Sequence, residues 1–193
     1  MSNYFILDNQ LPEFNAKGYM EIEDWNDIEG FDDWGEGIEA KDKPAGDIEI
    51  DVVSHDGYNG LPPDLHDHSV PLISARMKTA LDAAGVENIK YLPVTLKNPE
   101  TNQKFEYFAF NLIGLISAAD FSESDIKSPD GDFTGDSQIY DLVIDEDKIP
   151  ELLIFRLAEK FSAVVVHSRV KAEIEKHGID TLRFLKPEDY MAL

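Results

Sequence analysis

Residues 130–141, DGDFTGDSQIYD, set oxygen donors at alternate positions around a glycine. Asp130, Asp132 and Thr134 stand at positions one, three and five of a twelve-residue calcium loop, with Gly135 at position six and Asp141 at position twelve. Hard oxygen ligands at that spacing suit calcium, and the glycine is needed where the loop turns sharply. Two features depart from the template. Asp141 replaces the longer glutamate that binds through both oxygens, and Pro129 ends any helix entering the loop. The flanks SESDIKSP and QIYDLVID do not read as amphipathic helices either, so a solvated turn is the competing expectation.

A second cluster gathers His55, Asp56, Asp64, His66, Asp67 and His68. On a strand, His66 and His68 point to the same side and can share a transition metal with His55 or a carboxylate, which implies a metal-dependent enzyme. The competing expectation is a polar loop: Pro62 and Pro63 make an irregular backbone, and no HExxH accompanies the histidines. Other catalytic signatures are missing. There is no GxSxG elbow, no glycine-rich phosphate loop and no GxGxxG; the SxxK patterns beginning at Ser124 and Ser168 lack their SDN and KTG companions. No catalytic residue and no cofactor is expected, and the protein is expected not to be an enzyme.

The third feature is YMEIEDWNDIEGFDDWGEGIEA, residues 19–40, which interleaves carboxylates with aromatic rings and holds both tryptophans of the chain. Such a stretch is too aromatic for an acidic tail and too rich in Gly and Asp for a regular helix. It is expected to be ordered and irregular, packed on the domain through its rings. Tryptophan and tyrosine anchor interfaces, and a surrounding carboxylate field speeds association with a basic partner. Trp25, Asp32, Asp33, Trp34 and Glu36 are therefore the candidate partner-facing residues. The bland alternative makes the tryptophans core residues and the acids a solvated face.

The elements that must position these groups alternate between periods of two and 3.6. DIEIDVVS places Ile48, Ile50 and Val52 on one face of a strand. Ser74 caps a helix over ARMKTALDAAG, with Met77, Ala80, Leu81 and Ala84 on one face and Gly85 as its stop. IKYLPVTLK and KFEYFAFNLI, joined by the polar NPETNQ, form the clearest hairpin. QIYDLVID reads as a strand, and LLIFRLA as a strand or a short helix. SAVVVHS is a β-branched strand, Ser168 caps a helix over RVKAEIEKHG with Val170, Ile174 and His177 on one face, and DTLRFL closes as a strand. Without strict βαβ alternation the chain is α+β, with a mixed, largely antiparallel sheet and a few packed helices.

Charge bounds the partners. Over 193 residues, 39 acidic side chains face 17 Lys and Arg, a net charge of −22; residues 1–51 alone contribute −12. Such an excess repels nucleic-acid phosphates and anionic membrane surfaces, and favours a basic partner. The chain has no cysteine, which excludes disulfides and thiolate metal sites and fits a reducing compartment. The opening residues MSNYFILDNQ form no basic-then-apolar leader, and the expected location is cytoplasmic. The oligomeric state is left open.

Three stretches carry a resemblance to a known family: PLISARMKTALDAAGVENIKYLPVTL from Pro71; FAFNLIGLISAADFSES, in which Asn111 is followed by Asp120 and Ser122; and IFRLAEKFSAVVVHSRVKAEIEKHGIDTLRFL. Together they resemble the immunity proteins of bacterial polymorphic toxin systems, in the myxobacterial-type domain long described as of unknown function. The similarity covers residues 71–185, and GIDTLRFL departs modestly from the usual closing pattern, which has a Gly and an apolar residue near "TG" before the last strand. The resemblance implies an immunity protein that binds and neutralises a cognate toxin without turning over a substrate, and it carries no catalytic residues. Residues before Pro71 match only as an acidic, aromatic opening, and the expected organisation is an acidic aromatic region, residues 1–70, packed on an immunity-like domain of residues 71–193, the two making one continuous globule.

Overall fold

The structure is a computed structural model and describes residues 2–9, 19–23, 28–128, 131, 135 and 137–192. In chain order the strands are β1 (Tyr4–Asn9), β2 (Met20–Ile22), β3 (Ile48–Ser54), β4 (Leu65–His66) and β5 (Leu72–Ser74), followed by helix α1 (Ala75–Ala84). Then come β6 (Ile89–Lys97), β7 (Lys104–Leu112), β8 (Leu115–Ile116), β9 (Asp125–Lys127), β10 (Gln138–Asp141), β11 (Ile154–Leu157) and β12 (Lys160–His167). Helix α2 (Ser168–Lys176) and β13 (Leu182–Leu185) complete the set. The fold is α+β.

The strands build a six-stranded sheet in the order β2-β3-β6-β7-β5-β4, a five-stranded sheet β13-β1-β12-β11-β8, and the pair β10-β9. Neighbours are antiparallel except β3 with β6 and β11 with β8. Strands from both sides of residue 70 lie in both large sheets. The expected hairpin is β6–β7, paired from Ile89 opposite Leu112 to Lys97 opposite Lys104. Pro93 falls one residue before the β3 ladder begins at Val94, so its missing N–H removes no bond to that neighbour.

Helix α1 begins where Ser74, extended at φ −69 and ψ 159, accepts the Met77 N–H on its hydroxyl. Gly85, at φ 81, ends it by donating to the Asp82 and Leu81 carbonyls. Helix α2 departs from expectation by one residue. Ser168 is already helical, and the cap is His167, extended at φ −70 and ψ 151, whose Nδ1 accepts from the Arg169 N–H at 3.1 Å. The Ser168 N–H is instead taken by the Asn3 carbonyl at 2.8 Å, tying the helix start to the chain's beginning. Of the three residues expected on its apolar face, Val170 and Ile174 are buried and His177 is half-buried.

The core has three layers of contact. One cluster joins α1 and α2 (Met77, Leu81, Val170, Ile174) to one face of each large sheet (Phe110 and Leu112; Val164 and Val166). The outer face of the six-stranded sheet buries Ile48, Ile50, Val52, Leu96, Tyr107 and Ala109 beneath Phe31 and Trp34. The outer face of the five-stranded sheet buries Ile6, Phe155, Leu157 and Val165 against Ala118, Ile139 and Leu142. Strand β1 is inside this sandwich, with Leu7 toward the helices and Ile6 away from them. A strand buried on both faces shows no apolar–polar alternation. The LLIFRLA segment is a strand because β12 and β8 flank it on both sides.

Candidate functional site

The stretch 28–47 crosses the outer face of the six-stranded sheet and carries seven carboxylates against two lysines. Two aromatic residues pin it. Phe31 and Trp34 are each 4 % exposed, with ring centroids 4.9 Å apart and planes at 68°, the edge-to-face arrangement such pairs favour. The third anchor is polar. On the outward face of β7, after Tyr107 and Ala109, Asn111 is 1 % exposed. Its Nδ2 donates to the carbonyls of Trp34 at 3.3 Å and Ile38 at 2.8 Å, and its Oδ1 accepts from the Ala40 N–H at 3.0 Å. One amide thus satisfies three backbone groups, buried or partly buried, of a segment with no regular structure to pair them.

Gly37 completes the clamp. Its carbonyl accepts from the Gly114 N–H at 2.7 Å, and at φ 79 a side chain would be strained and would press within 3.2 Å of Arg156 and Leu115. The backbone is therefore bound to both large sheets, through β7 and through the chain beside β8. What remains outward is mostly charge: Asp32, Glu36, Glu39 and Asp42 are exposed and Asp33 is partly so, with Ile38 exposed among them. Lys41 approaches Asp33 only to 3.8 Å. A hydrogen bond and the charge of Lys90 hold the Glu39 carboxyl below the usual glutamate range.

Trp34 was expected to face a partner and is instead a core residue. Its ring fills the space over β3 and β7, and its Nε1 reaches the Asp42 carbonyl at 3.4 Å. Burying the indole is worth more to the fold than exposing it in a charged field. Trp25 lies outside the described residues. Asp32, Asp33 and Glu36 are thus brought together on one surface by a buried tryptophan and an asparagine. Sequence reasoning named Asn111 only among the residues that carry the family resemblance and missed it as the anchor; the signal available was a polar residue on a strand face otherwise lined by apolar side chains.

The histidine cluster is placed differently. Asp64 is 1 % exposed and accepts from Ser74 Oγ at 2.6 Å, Arg76 Nε at 2.6 Å, Arg76 Nη2 at 2.5 Å and Thr181 Oγ1 at 3.1 Å. The hydrogen bond to Asp64 raises the Arg76 guanidinium pKa against the opposing effect of burial. Asp67 binds Arg156 through two parallel bonds, to Nη1 at 2.9 Å and Nη2 at 2.7 Å, and Arg156 is 2 % exposed. Nη1 also donates to the Phe161 carbonyl at 3.0 Å. The ring of His55 stacks on Tyr19 at 4.5 Å and its Nε2 lies 2.9 Å from Glu21, while the His66 and His68 rings are 4.8 Å apart. Among the described residues no group of three or more His, Asp or Glu side chains is placed to hold a metal ion.

Asp130 and Asp132 lie outside the described residues. Asp141 is exposed on β10, opposite Asp125 of β9, so the loop joins two strands rather than two helices. A second acidic concavity, unforeseen from sequence, is a cleft of about 750 Å³ lined by Asp120, Asp145, Glu146, Asp147 and Glu188 over Leu142, Val143, Ile144 and Pro187. Donation from the Ser122 hydroxyl at 2.7 Å and N–H at 2.9 Å holds the Asp120 carboxyl low. Among the described residues no helix is long and apolar enough to cross a membrane.

Residues 19–189 match the model of the family described as Immunity protein family (Imm11). No curated protein matches the chain.

Proposed function

Because the chain belongs to the Imm11 immunity protein family, we propose that it is a stoichiometric inhibitor: it binds a cognate bacterial toxin, basic at the contact surface, and blocks it without turning over a substrate. The observation that carries this reading is the outward presentation of Asp32, Asp33 and Glu36 from a backbone held by Trp34 and Asn111. A surface that does not reorganise on binding loses little entropy on association, and concentrated carboxylates steer a basic partner into encounter. The strands that cross residue 70 support one globule rather than an appended acidic region, and the cysteine-free composition suits the cytosol. Neither nucleic acid nor an anionic membrane suits so acidic a surface.

Co-expression with the product of the neighbouring gene tests the reading directly. Survival of the host together with a co-purifying complex is the expected result; toxicity that this chain does not relieve would refute it. Within a complex, reversing Asp32, Asp33 and Glu36 to lysine should slow association at low salt by about tenfold or more. An unchanged rate would move the interface elsewhere on the molecule, with the cleft at Asp120 and Glu188 as the next surface to probe.

A further inference from the structure

Residues 142–147 are laced to residues 118–124 on the outer face of the five-stranded sheet. The Asp120 N–H donates to the Val143 carbonyl and the Asp145 N–H to the Ala118 carbonyl, both at 2.8 Å, and the Val143 N–H donates to Ser124 Oγ at 2.9 Å. These bonds build the walls of the cleft of about 750 Å³. Of its lining, Leu142, Ile144 and Pro187 are buried, whereas Asp147 and Glu188 are exposed, so an apolar floor lies beneath a charged rim. Among the described residues, ion pairs reach only two of the five lining carboxylates, and loosely: Lys148 stands 3.6 Å from Asp145 and Lys186 3.7 Å from Glu188.

A separate observation falls at the same place. Among the described residues five large apolar side chains are exposed, and three of them flank this cleft: Phe121 at 43 %, Tyr140 at 36 % and Met191 at 65 %. Phe121 follows Asp120, and Lys148 Nζ stands 5.8 Å from its ring centre. Ile139 and Ala192 exchange both of their backbone hydrogen bonds, at 2.7 and 2.9 Å, which sets Tyr140 opposite Met191 on the outward side. The helical turn Pro187–Asp189, which supplies Pro187 and Glu188 to the cleft, packs beside the β10 strand that carries Tyr140. Apolar side chains exposed singly need no explanation, but a group of them rimmed by charge marks a contact surface.

We propose that this surface docks a protein partner through an arginine side chain. The guanidinium sits among the carboxylates, its aliphatic stem lies on the apolar floor, and apolar neighbours of that arginine meet Tyr140 and Met191. A cleft lined by one sign of charge over a low-dielectric floor focuses its field on an entering cation. A bare ion gains nothing from the floor, whereas a long cationic side chain covers it with its stem. Arginine suits the rim better than lysine, because its planar fork can pair with two carboxylate oxygens at once and stack on an exposed ring. The proposal is carried by residues 118–192 alone and stands whether or not segment 28–47 meets the toxin.

The test titrates the full isotope-labelled chain with acetyl-Leu-Arg-Leu-amide by NMR, in about 0.15 M KCl so that diffuse attraction to the net charge is screened. Saturable amide shifts should appear at Asp120, Phe121, Tyr140, residues 143–147 and Glu188, with residues 28–47 unmoved. Acetyl-Leu-Gln-Leu-amide and free arginine should each bind about tenfold more weakly or less. The double variant Asp147→Asn with Glu188→Gln changes only exposed side chains, and should weaken the arginine peptide by about fivefold or more. Absence of saturable shifts, shifts spread equally over residues 28–47, or an unaltered affinity in the double variant would overturn the proposal. Equal binding of the glutamine peptide would remove the arginine, and equal binding of free arginine would remove the docking surface at Tyr140 and Met191; either result refutes the assignment.

Discussion

Segment 28–47 and loop 55–70 share ingredients, carboxylates among glycines and rings, and the fold uses them in opposite senses. In the first, the acids point out and the anchors are uncharged: Phe31, Trp34 and the Asn111 amide. In the second, Asp64 and Asp67 point in and are held by Arg76 and Arg156. The difference lies in what the rest of the chain offers at each place. The outer face of β3 and β7 presents apolar side chains and one amide, which can hold a backbone but cannot neutralise a charge. Around the loop, α1 supplies the Arg76 guanidinium and β11 that of Arg156. In these two segments, then, acidic side chains are left outward where no arginine is placed to take them.

The largest effect should follow from breaking an inward pair. Asp67→Ala leaves the Arg156 guanidinium buried and unpaired, and urea unfolding should show a loss of about 3–5 kcal/mol. The double change Asp67→Leu with Arg156→Met should recover much of it, because the penalty belongs to the uncompensated charge rather than to the absence of the pair. A loss below about 1 kcal/mol for Asp67→Ala would mean that water reaches Arg156, and the contrast between the two regions would weaken.

Next in size is the uncharged anchor. Asn111→Ala strands the carbonyls of Trp34 and Ile38 and the N–H of Ala40, and should cost about 1–3 kcal/mol. The accompanying signature separates anchoring from general destabilisation. In a Trp25→Phe background, Trp34 emission should shift to the red in the folded variant as its ring gains water. An unshifted spectrum would show that Phe31 and Trp34 hold the segment without the amide.

These two anchors mark where the sequence stopped being informative. Local signals sufficed for the β6–β7 hairpin, the Ile48, Ile50 and Val52 face, and α1 between Ser74 and Gly85, because each is specified by a period or a cap within a few residues. Strand β1 escaped notice because both of its faces are covered. The start of α2 slipped to His167 because the Asn3 carbonyl claims the Ser168 N–H. Asn111 reaches back 71 to 77 residues, and Arg156 meets Asp67 across 89. No window along the chain contains both partners, so the acids of the two regions look alike until the sheets are assembled.

Glu146 tests the intermediate case, a carboxylate held by neutral donors. Burial opposes its ionisation, but the Asn3 N–H at 2.7 Å, Asn3 Nδ2 at 3.1 Å and Ser2 Oγ at 2.9 Å hold its pKa below the usual glutamate value. A carboxyl whose pKa is lower folded than unfolded adds stability above the unfolded value, about 4.3, and loses it as pH falls through the folded value. Glu146→Gln should therefore cost less than about 1 kcal/mol at neutral pH, given the group's exposure, and the two unfolding curves should converge below about pH 4. A pH-independent gap would assign the effect to hydrogen bonding alone.

The smallest effect on stability should come from the residues with the largest proposed effect on binding. Reversing Asp32, Asp33 and Glu36 to lysine moves the net charge from −22 to −16. Among the described residues the one ion pair these acids make is the long one from Lys41 to Asp33, at 3.8 Å. Two small terms oppose each other: loss of that exposed pair, and relief of repulsion in a crowded acidic segment. The folding free energy should stay within about 0.5 kcal/mol of the parent. A loss of several kcal/mol would show that these acids support the fold, and the outward surface would then be structural in the same sense as Asp64 and Asp67. An unchanged stability with slowed association separates the two uses of acid that the fold keeps apart.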